Sequence, residues 1–464
     1  MQNKYKELIN NTAIFALSNV LSKIVLALLL PLYTHILTTE EYGTAEIITT
    51  ISQLLMPVCS LAISEAIYRF SMDKKEHCGE VLKNGFIIAG MGSIFILCIS
   101  LVLGNYYIVA KWNLLLFGIT VTSLFRSILS LYTQAVGNSK LFSIDNVLYN
   151  FMLAFMNVFF LAVFKFGLLG YFLAMIFSAT MSCIFLIWKQ KLLRELVLCQ
   201  ANIRLLKKML LYSFPMILNA ISWSITNLVD KTMLADICGT SATGVYSAAS
   251  KIPSILSLLA NVFAQAWGLS AIKDFENEKD KVFFSKVFIF SHIAVGLGAL
   301  FVYLVNNNII KFVLGEEFSS AIIYTPILIL GMIFLSYSNF FTPFFQAAKK
   351  TKTIMITSIE GSVINVVLNY FLIKEIGIFG ACIATLASYM YIALARYYRS
   401  REILPINFDS IKFLFSLLLL CVATVVTICG KYVEIMCLLI ILIFVFMYYK
   451  HISNMVEKLV KRRK

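Results

Sequence analysis

Runs of about twenty consecutive apolar residues recur along almost the whole of this chain, and they constrain its fold more than any other feature. FLFSLLLLCVATVVTIC (413–429) is one of them. A helix of ~20 residues crosses the ~30 Å hydrocarbon core of a bilayer. Lipid offers the backbone no hydrogen-bond partners, so such runs must satisfy themselves as helices. Fourteen candidate spans lie near 11–37, 42–67, 84–104, 113–136, 142–164, 167–188, 209–234, 243–267, 284–305, 319–341, 353–373, 376–398, 410–429 and 432–449. The first is too long for a cleavable signal peptide and lacks its small-residue cleavage site, so it is expected to remain as a span. Only 14% of residues are charged, against about 25% in soluble domains. The fold class is therefore all-α, a polytopic membrane protein of about 14 transmembrane helices.

The cations order these spans. Lys and Arg collect on cytoplasmic segments, and 30 of the 39 fall in alternate segments, beginning with Lys4 and Lys6 and ending in the KRRK tail. Those alternate segments take in Lys189 to Lys208, Lys349 to Lys352, and Arg396, Arg399 and Arg401; the intervening ones hold only Lys111, Lys165, Lys311, Lys374 and Lys431. A missed span would scramble this alternation, so both termini are expected in the cytoplasm. The net charge of +15 is explained by the same segments, and no soluble domain is large enough to present a nucleic-acid surface.

The chain also repeats itself at an offset of about 200 to 212 residues. Glu46, Thr49, Gln53, Ser60 and Ser64 on the second span have polar counterparts in Ser247, Ser250, Ser254, Asn261 and Gln265 on the eighth. Each set falls on one helical stripe. QAVGNSK (134–140) answers QAAKKTK (346–352), and Gly167, Gly170, Ala174 and Ser178 recur as Gly377, Gly380, Ala384 and Ser388. Small residues at this spacing let helices approach closely. Six spans plus six with the same starting side make a parallel repeat, an architecture of transporters with a site between the halves. The expected divisions are 1–200 and 201–400, each a six-helix bundle, and 401–464, two further spans with a basic cytoplasmic tail.

Four cations remain inside the spans, Lys23, Arg126, Lys231 and Lys251, with the acids Glu46, Glu65, Asp230 and Glu360. A charge at the bilayer centre costs about 2.5–3.5 kcal/mol even on the lenient insertion scale, so each needs a partner, a wet cavity or a route to the interface. Lys23 and Arg126 are near mid-span and read as cavity residues. Asp230 and Lys231, in ISWSITNLVDKTMLA (221–235), lie near the outer end, where snorkelling is open to them as an alternative to a cavity face. Lys251 is equally open to structural pairing, and Glu360 to pairing with one of these cations. Asp145 is expected to snorkel to the cytoplasmic side. For the polar stripe of Gln53, Ser254, Asn261 and Gln265, helix–helix hydrogen bonding is the alternative to contact with cargo.

LTTEEYG (37–43), the polar seventh span ending in Asp230 and Lys231, GVYSAASKIPSILSLLANVFAQAW (244–267), VLGEEF (313–318) and INVVLNYFLIKEIGIFGACIATLASY (364–389) resemble Wzx-type polysaccharide flippases of the multidrug/oligosaccharidyl-lipid/polysaccharide exporter superfamily. The resemblance covers essentially the whole chain. It implies two six-helix bundles forming a V in the cytoplasmic membrane. The cargo it implies is an undecaprenyl-pyrophosphate-linked oligosaccharide repeat unit, moved to the outer leaflet by alternating access. Lys23, Arg126, Lys231 and Lys251 would then meet pyrophosphate or acidic sugars. Glu46, Glu65, Asp230 and Glu360 would be ion-coupling or charge-partner residues. The implied partners are the lipid-linked oligosaccharide, membrane lipids, and a polysaccharide polymerase with its chain-length regulator.

Within the same superfamily the alternatives are an ion-coupled multidrug antiporter and a lipid II flippase; the first span carries Lys23 and no acid, which disfavours a binder of cationic drugs. An enzyme is not expected: no nucleophile–base arrangement, phosphate loop or large outer domain is present. The ten cysteines and four histidines show no ligand spacing, so no metal or cofactor is expected either.

Overall fold

The computed structural model of the chain describes residues 24–25, 28–72, 77–254, 281–348, 350–403, 406 and 408–461. Among these the ordered elements are all helical. They are α1 (28–36), α2 (Thr39–Cys59), α3 (Ile63–Ser71), α4 (Cys78–Leu103), α5 (Asn113–Ala135), α6 (Ser139–Asn157, continued by a π-helical turn, Val158–Val163) and α7 (Gly167–Gln190). The series continues with α8 (Leu192–Leu198), α9 (Ile203–Cys238), α10 (240–254), α11 (Lys281–Val313), α12 (Ala321–Ala347) and α13 (Thr351–Ile376). Last come α14 (Ile378–Ser400), α15 (Ser410–Cys429) and α16 (Val433–Lys461).

Among the described residues, ten helices are long and apolar enough to cross a membrane, or eleven if a bent pair counts as one. Ten of the fourteen expected spans coincide with these ten helices. The bent pair, α2 and α3, takes the place of the expected straight second span. Its halves meet at 58°, and Leu61 and Ala62 at the break adopt left-handed φ values of 51° and 48°. Pro57 four residues earlier lacks the N–H that would bond one turn back, and the helix ends at Cys59. The expected seventh span lies within the 36-residue helix α9. Most of the spans expected at 11–37 and 243–267 lies outside the described residues.

Short-range chemistry sets several boundaries. In LTTEEYG, the Thr38 hydroxyl accepts from Glu41 N at 3.2 Å while the Glu41 carboxylate accepts from Thr38 N at 3.1 Å. This reciprocal capping box satisfies two of the amides that a helix start leaves without partners. Asn138 and Asp409 cap α6 and α15 in the simpler way, accepting from Leu141 N and Lys412 N.

The chain divides into two compact units, residues 1–231 and 232–464, the division falling within α9. In unit 1, α5 packs against α2, α3, α4 and α7, and α6 against α7. In unit 2, α14 packs against α12 and α13, while α11, α12, α15 and α16 share one core. That core is aromatic, with Phe284, Phe288, Phe340, Phe341, Phe344 and Phe444 all buried. Inside it His292, fully buried, bonds Tyr337 Oη at 2.7 Å and Ser416 Oγ at 2.8 Å. Residues 410–450, expected as spans outside the repeat, thus contribute to the interior of unit 2.

Each unit contains the same hairpin device. Gly167, the first residue of α7, and Gly377, the N-cap of α14, have φ values of 56° and 57°, in the left-handed region that a side chain resists. Three residues on, a Cβ on Gly170 would come within 3.1 Å of the Phe160 carbonyl oxygen, and one on Gly380 would run into the Leu372 carbonyl. Lipid tails are as apolar as the helices, so association rests on such close backbone approach.

Candidate functional site

Tyr42, Glu46 and Thr50 are spaced by four residues, so α2 presents them on one stripe. Glu46 is buried, and a buried carboxylate needs a partner. Lys231 of α9 supplies it: Nζ donates to Glu46 Oε2 at 2.8 Å and to Thr50 Oγ1 at 2.8 Å. Thr50 in turn donates to the Glu46 carbonyl at 2.6 Å, and the Tyr42 hydroxyl bonds the Glu46 carboxylate. Tyr33 sits beside Tyr42, ring centroids 6.3 Å apart, and edge-on to Tyr171 at 4.9 Å. Lys231 therefore reaches inward to a buried carboxylate, and the snorkelling alternative for it is set aside. Asp230, beside it, is also buried.

Arg126, near the middle of α5, forms a second cluster in the same unit. Its guanidinium lies 3.6 Å from the centre of the Tyr149 ring, and Nη2 donates to Asn146 Oδ1 at 3.1 Å. The same nitrogen is 3.6 Å from Asp145 Oδ2, and Ser182 of α7 donates to Asp145 Oδ1 at 2.6 Å. Asp145 is completely buried, so the expectation that it snorkels is wrong. The α6 stripe Asp145–Tyr149 faces Arg126 instead of the interface. Tyr149 and Tyr33 pack on the same small cluster of Leu29, Leu153 and Ala174. Tyr149, which stacks on Arg126, and Tyr33, which neighbours Tyr42, thus share one apolar cluster. The Arg126 and Lys231 side chains, each beside a carboxylate, remain 18% and 15% exposed.

The other expected residues belong to other parts of the chain or lie outside the described residues. Lys23, Asn261 and Gln265 lie outside the described residues. Lys251 is half-buried on α10 in unit 2, and Ser254 there donates to the Lys251 carbonyl at 2.5 Å. Gln53 is exposed while Glu46 and Thr49 are buried, so the α2 stripe is divided between two environments. Glu65 is exposed on α3 and makes no ion pair among the described residues. Among the described residues, the ion-pair partner of Glu360 is Arg399. It bonds Arg399 Nη2 through Oε1 at 3.0 Å and Oε2 at 3.1 Å, and accepts from Tyr391 Oη at 3.0 Å.

Arg396, counted from sequence with the cytoplasmic cations, is buried. Its guanidinium donates to Ser338 Oγ, Thr342 Oγ1 and Ser358 Oγ at 2.9 Å each and to Thr357 Oγ1 at 3.1 Å. Thr357 and Thr342 direct their own protons to carbonyls of their helices, at 2.9 and 3.2 Å. Their oxygen lone pairs are left to accept from the arginine. A shell of hydroxyls thus ties α12, α13 and α14 around one charge.

The family model for polysaccharide biosynthesis proteins matches residues 8–267, more than half of the 464-residue chain. The MatE family model matches residues 215–371. No curated protein matches. Among solved structures, an inward-facing multidrug resistance MATE family transporter of the MOP superfamily superposes with a TM-score of 0.69 at 16% identity, over 82% of this chain and 94% of that one. Lipid II flippase MurJ, in an inward closed conformation, gives 0.67 at 15% identity over 97% and 100%. A MOP superfamily transporter from Pyrococcus furiosus gives 0.53 at 14% identity over 84% and 92%. At these identities the likeness is one of fold. With more than half of its length matched by one family model, the chain belongs to the polysaccharide biosynthesis protein family and has the helical fold of MOP-superfamily transporters.

Proposed function

We propose that the protein moves an oligosaccharide repeat unit, carried on undecaprenyl pyrophosphate, from the inner to the outer leaflet of the cytoplasmic membrane. The observation that carries this reading is the pair of membrane-embedded cations in unit 1. Arg126 and Lys231 are each partly accessible and each held by a carboxylate, with tyrosine rings and hydroxyls around them. A pyrophosphate is a strong multiple acceptor, and Arg and Lys answer both its charge and its lone pairs. Tyrosine faces and hydroxyls suit the adjoining sugars. Membership of a polysaccharide biosynthesis family supports the same cargo class. The carboxylates keep the cations neutralised while the site is empty, and the pyrophosphate takes over their donors when it binds. Alternating access then exposes the site to each leaflet in turn.

Deletion of the gene tests the reading, with surface polysaccharide analysed by gel and undecaprenyl-linked sugars extracted from the membranes. Loss of surface polymer with accumulation of the lipid-linked repeat unit is the expected result. Normal polymer, no accumulation and new drug sensitivity would transfer the protein to the multidrug antiporters, and accumulation of lipid II to that flippase class.

A further inference from the structure

Glu360, Tyr391 and Arg399 form a polar cluster that the unit 1 sites leave unexplained. Glu360 is on α13 and the other two are on α14, both candidate membrane spans. Glu360 is eight residues past the start of its span at Lys352, about 12 Å along the helix. Arg399 is the penultimate residue of α14, at the end that the alternation of cations assigns to the cytoplasm. Both ends of the ion pair remain open, with the Arg399 and Glu360 side chains 38% and 33% exposed.

A charge at membrane depth is tolerated inside a bundle or beside water, and exposure to lipid tails costs it about 2.5–3.5 kcal/mol or more. This pair is not sealed within unit 2, and an unsealed charge at this depth calls for water or a polar ligand beside it. Its geometry is also fixed from behind. Ser388 Oγ donates to the Gly361 carbonyl at 2.8 Å, and a Cβ on Gly361 would collide with Ile392, so α13 and α14 are in close contact next to Glu360. One turn further on, the Arg396 guanidinium bonds Thr357 and Ser358. Arg399 spends a single nitrogen, Nη2, on both Glu360 oxygens. Its Nε and Nη1 donate to no group among the described residues.

We propose that Glu360, Tyr391 and Arg399 are a second contact site for the cargo, near the cytoplasmic end of unit 2. Its ligand is an oxyanion flanked by hydroxyls, the chemistry of a phosphorylated or acidic sugar. Nη1 of Arg399, which the Glu360 carboxylate leaves open, donates to the oxyanion in a charge-assisted hydrogen bond. The Glu360 carboxylate and the Tyr391 hydroxyl take sugar hydroxyls. The proposal rests on the glycolipid reading above and adds to it the residues that receive the head group on the cytoplasmic side.

The test replaces the gene in the deletion strain with Arg399→Gln, with Glu360→Gln, and with the charge-swapped pair Glu360→Arg/Arg399→Glu, and measures membrane protein level, surface polymer and lipid-linked repeat unit. The expected result is normal protein level, polymer lowered about tenfold in Arg399→Gln, the factor that one charge-assisted hydrogen bond supplies, and no rescue by the swap. Wild-type export in Arg399→Gln, or full rescue by the swap, would reduce the cluster to a structural ion pair. Should Arg399→Gln not reach the membrane, the purified wild type and Glu360→Gln are titrated with inorganic pyrophosphate and with glucuronate, reading thermal stabilisation. A shift by pyrophosphate that Glu360→Gln alters identifies the phosphate of the lipid as the oxyanion; the same with glucuronate identifies an acidic sugar; equal shifts in both proteins, or none, overturn the proposal. If the deletion strain itself accumulates no lipid-linked sugar, the cargo reading fails, whatever Arg399 does. If the deletion strain accumulates it while Arg399→Gln does not, only this site fails.

Discussion

Lys231 and Glu46 are 185 residues apart in sequence and 2.8 Å apart in unit 1. Each is an ion-pair partner that the other cannot lose cheaply, because removing one end of a largely buried pair leaves a desolvated charge and costs about 3–5 kcal/mol. Glu46→Gln and Lys231→Met are therefore each expected to lower thermal stability of the purified protein sharply. The double variant should lose much less than their sum, with a coupling of about 3 kcal/mol in the double-mutant cycle. Additive losses would show that the two charges are not coupled. Part of this arrangement was legible in the sequence: a charge inside an apolar run announces that it needs a partner, although the stripe read there ran through Glu46, Thr49 and Gln53, and Tyr42 and Thr50 were missed. Which partner it takes was not legible, because that depends on the register of α9 against α2. The same gap explains Asp145. From sequence it is an acid near a span end with a short path to water, and only the packing of α6 on α5 and α7 brings Arg126 and Ser182 to it.

At the scale of elements, a proline in a helix removes one N–H and orphans the carbonyl four residues back. In α12 that proline is Pro326 and the carbonyl is Ile322, and Asn306 of α11 donates its Nδ2 to it at 3.1 Å. Tyr303 one turn earlier bonds the Pro326 carbonyl at 3.2 Å. Asn306→Leu is expected to destabilise the protein by about 1 kcal/mol, the scale of a hydrogen bond between membrane helices. In a Pro326→Ala background, where residue 326 supplies the missing donor itself, the same change should be neutral or stabilising, since Asn306 Oδ1 is buried and has no partner among the described residues. An equal loss in both backgrounds would sink this account. The glycine pairs give a graded companion test. Gly380→Ala meets main-chain atoms of Leu372 and Ile373 that cannot yield, while the Cβ at position 170 meets Phe160 at 3.1 Å. Melting temperature should therefore fall more for Gly380→Ala than for Gly170→Ala; the reverse order would refute it. The sequence repeat already paired Gly167 with Gly377 and Gly170 with Gly380 by spacing, and the first pair shares a φ near 56°. The α2–α3 break was less legible: a proline such as Pro57 can bend a helix, but the left-handed pair Leu61 and Ala62 has no sequence signal, since neither residue favours that conformation.

For the whole molecule, the all-helical membrane fold could be read from the apolar runs alone, because twenty apolar residues in lipid have so few alternatives. The order of spans rests on parity, and parity can be measured. Ten of the expected spans are helices long and apolar enough to cross, α2–α3 is a bent pair, and α9 contains the seventh. The spans expected at 11–37 and 243–267 lie mostly outside the described residues, and each reverses the side of everything that follows it. With a cytoplasmic N-terminus, fusions truncated after Lys111 follow three expected spans and those after Lys311 follow nine, so alkaline phosphatase should be active and green fluorescent protein dark at both. Fusions after Lys140 and after Lys352 follow four and ten, and the reporters should exchange. If the 11–37 run does not cross, all four fusions invert together. If it crosses and 243–267 does not, only the two later fusions invert. Either pattern would also place the Lys189–Lys208 or the Lys349–Lys352 cluster on the outer face, against the cation rule. The charge alternation and the span count are therefore tested by one set of fusions, and they fail or stand together.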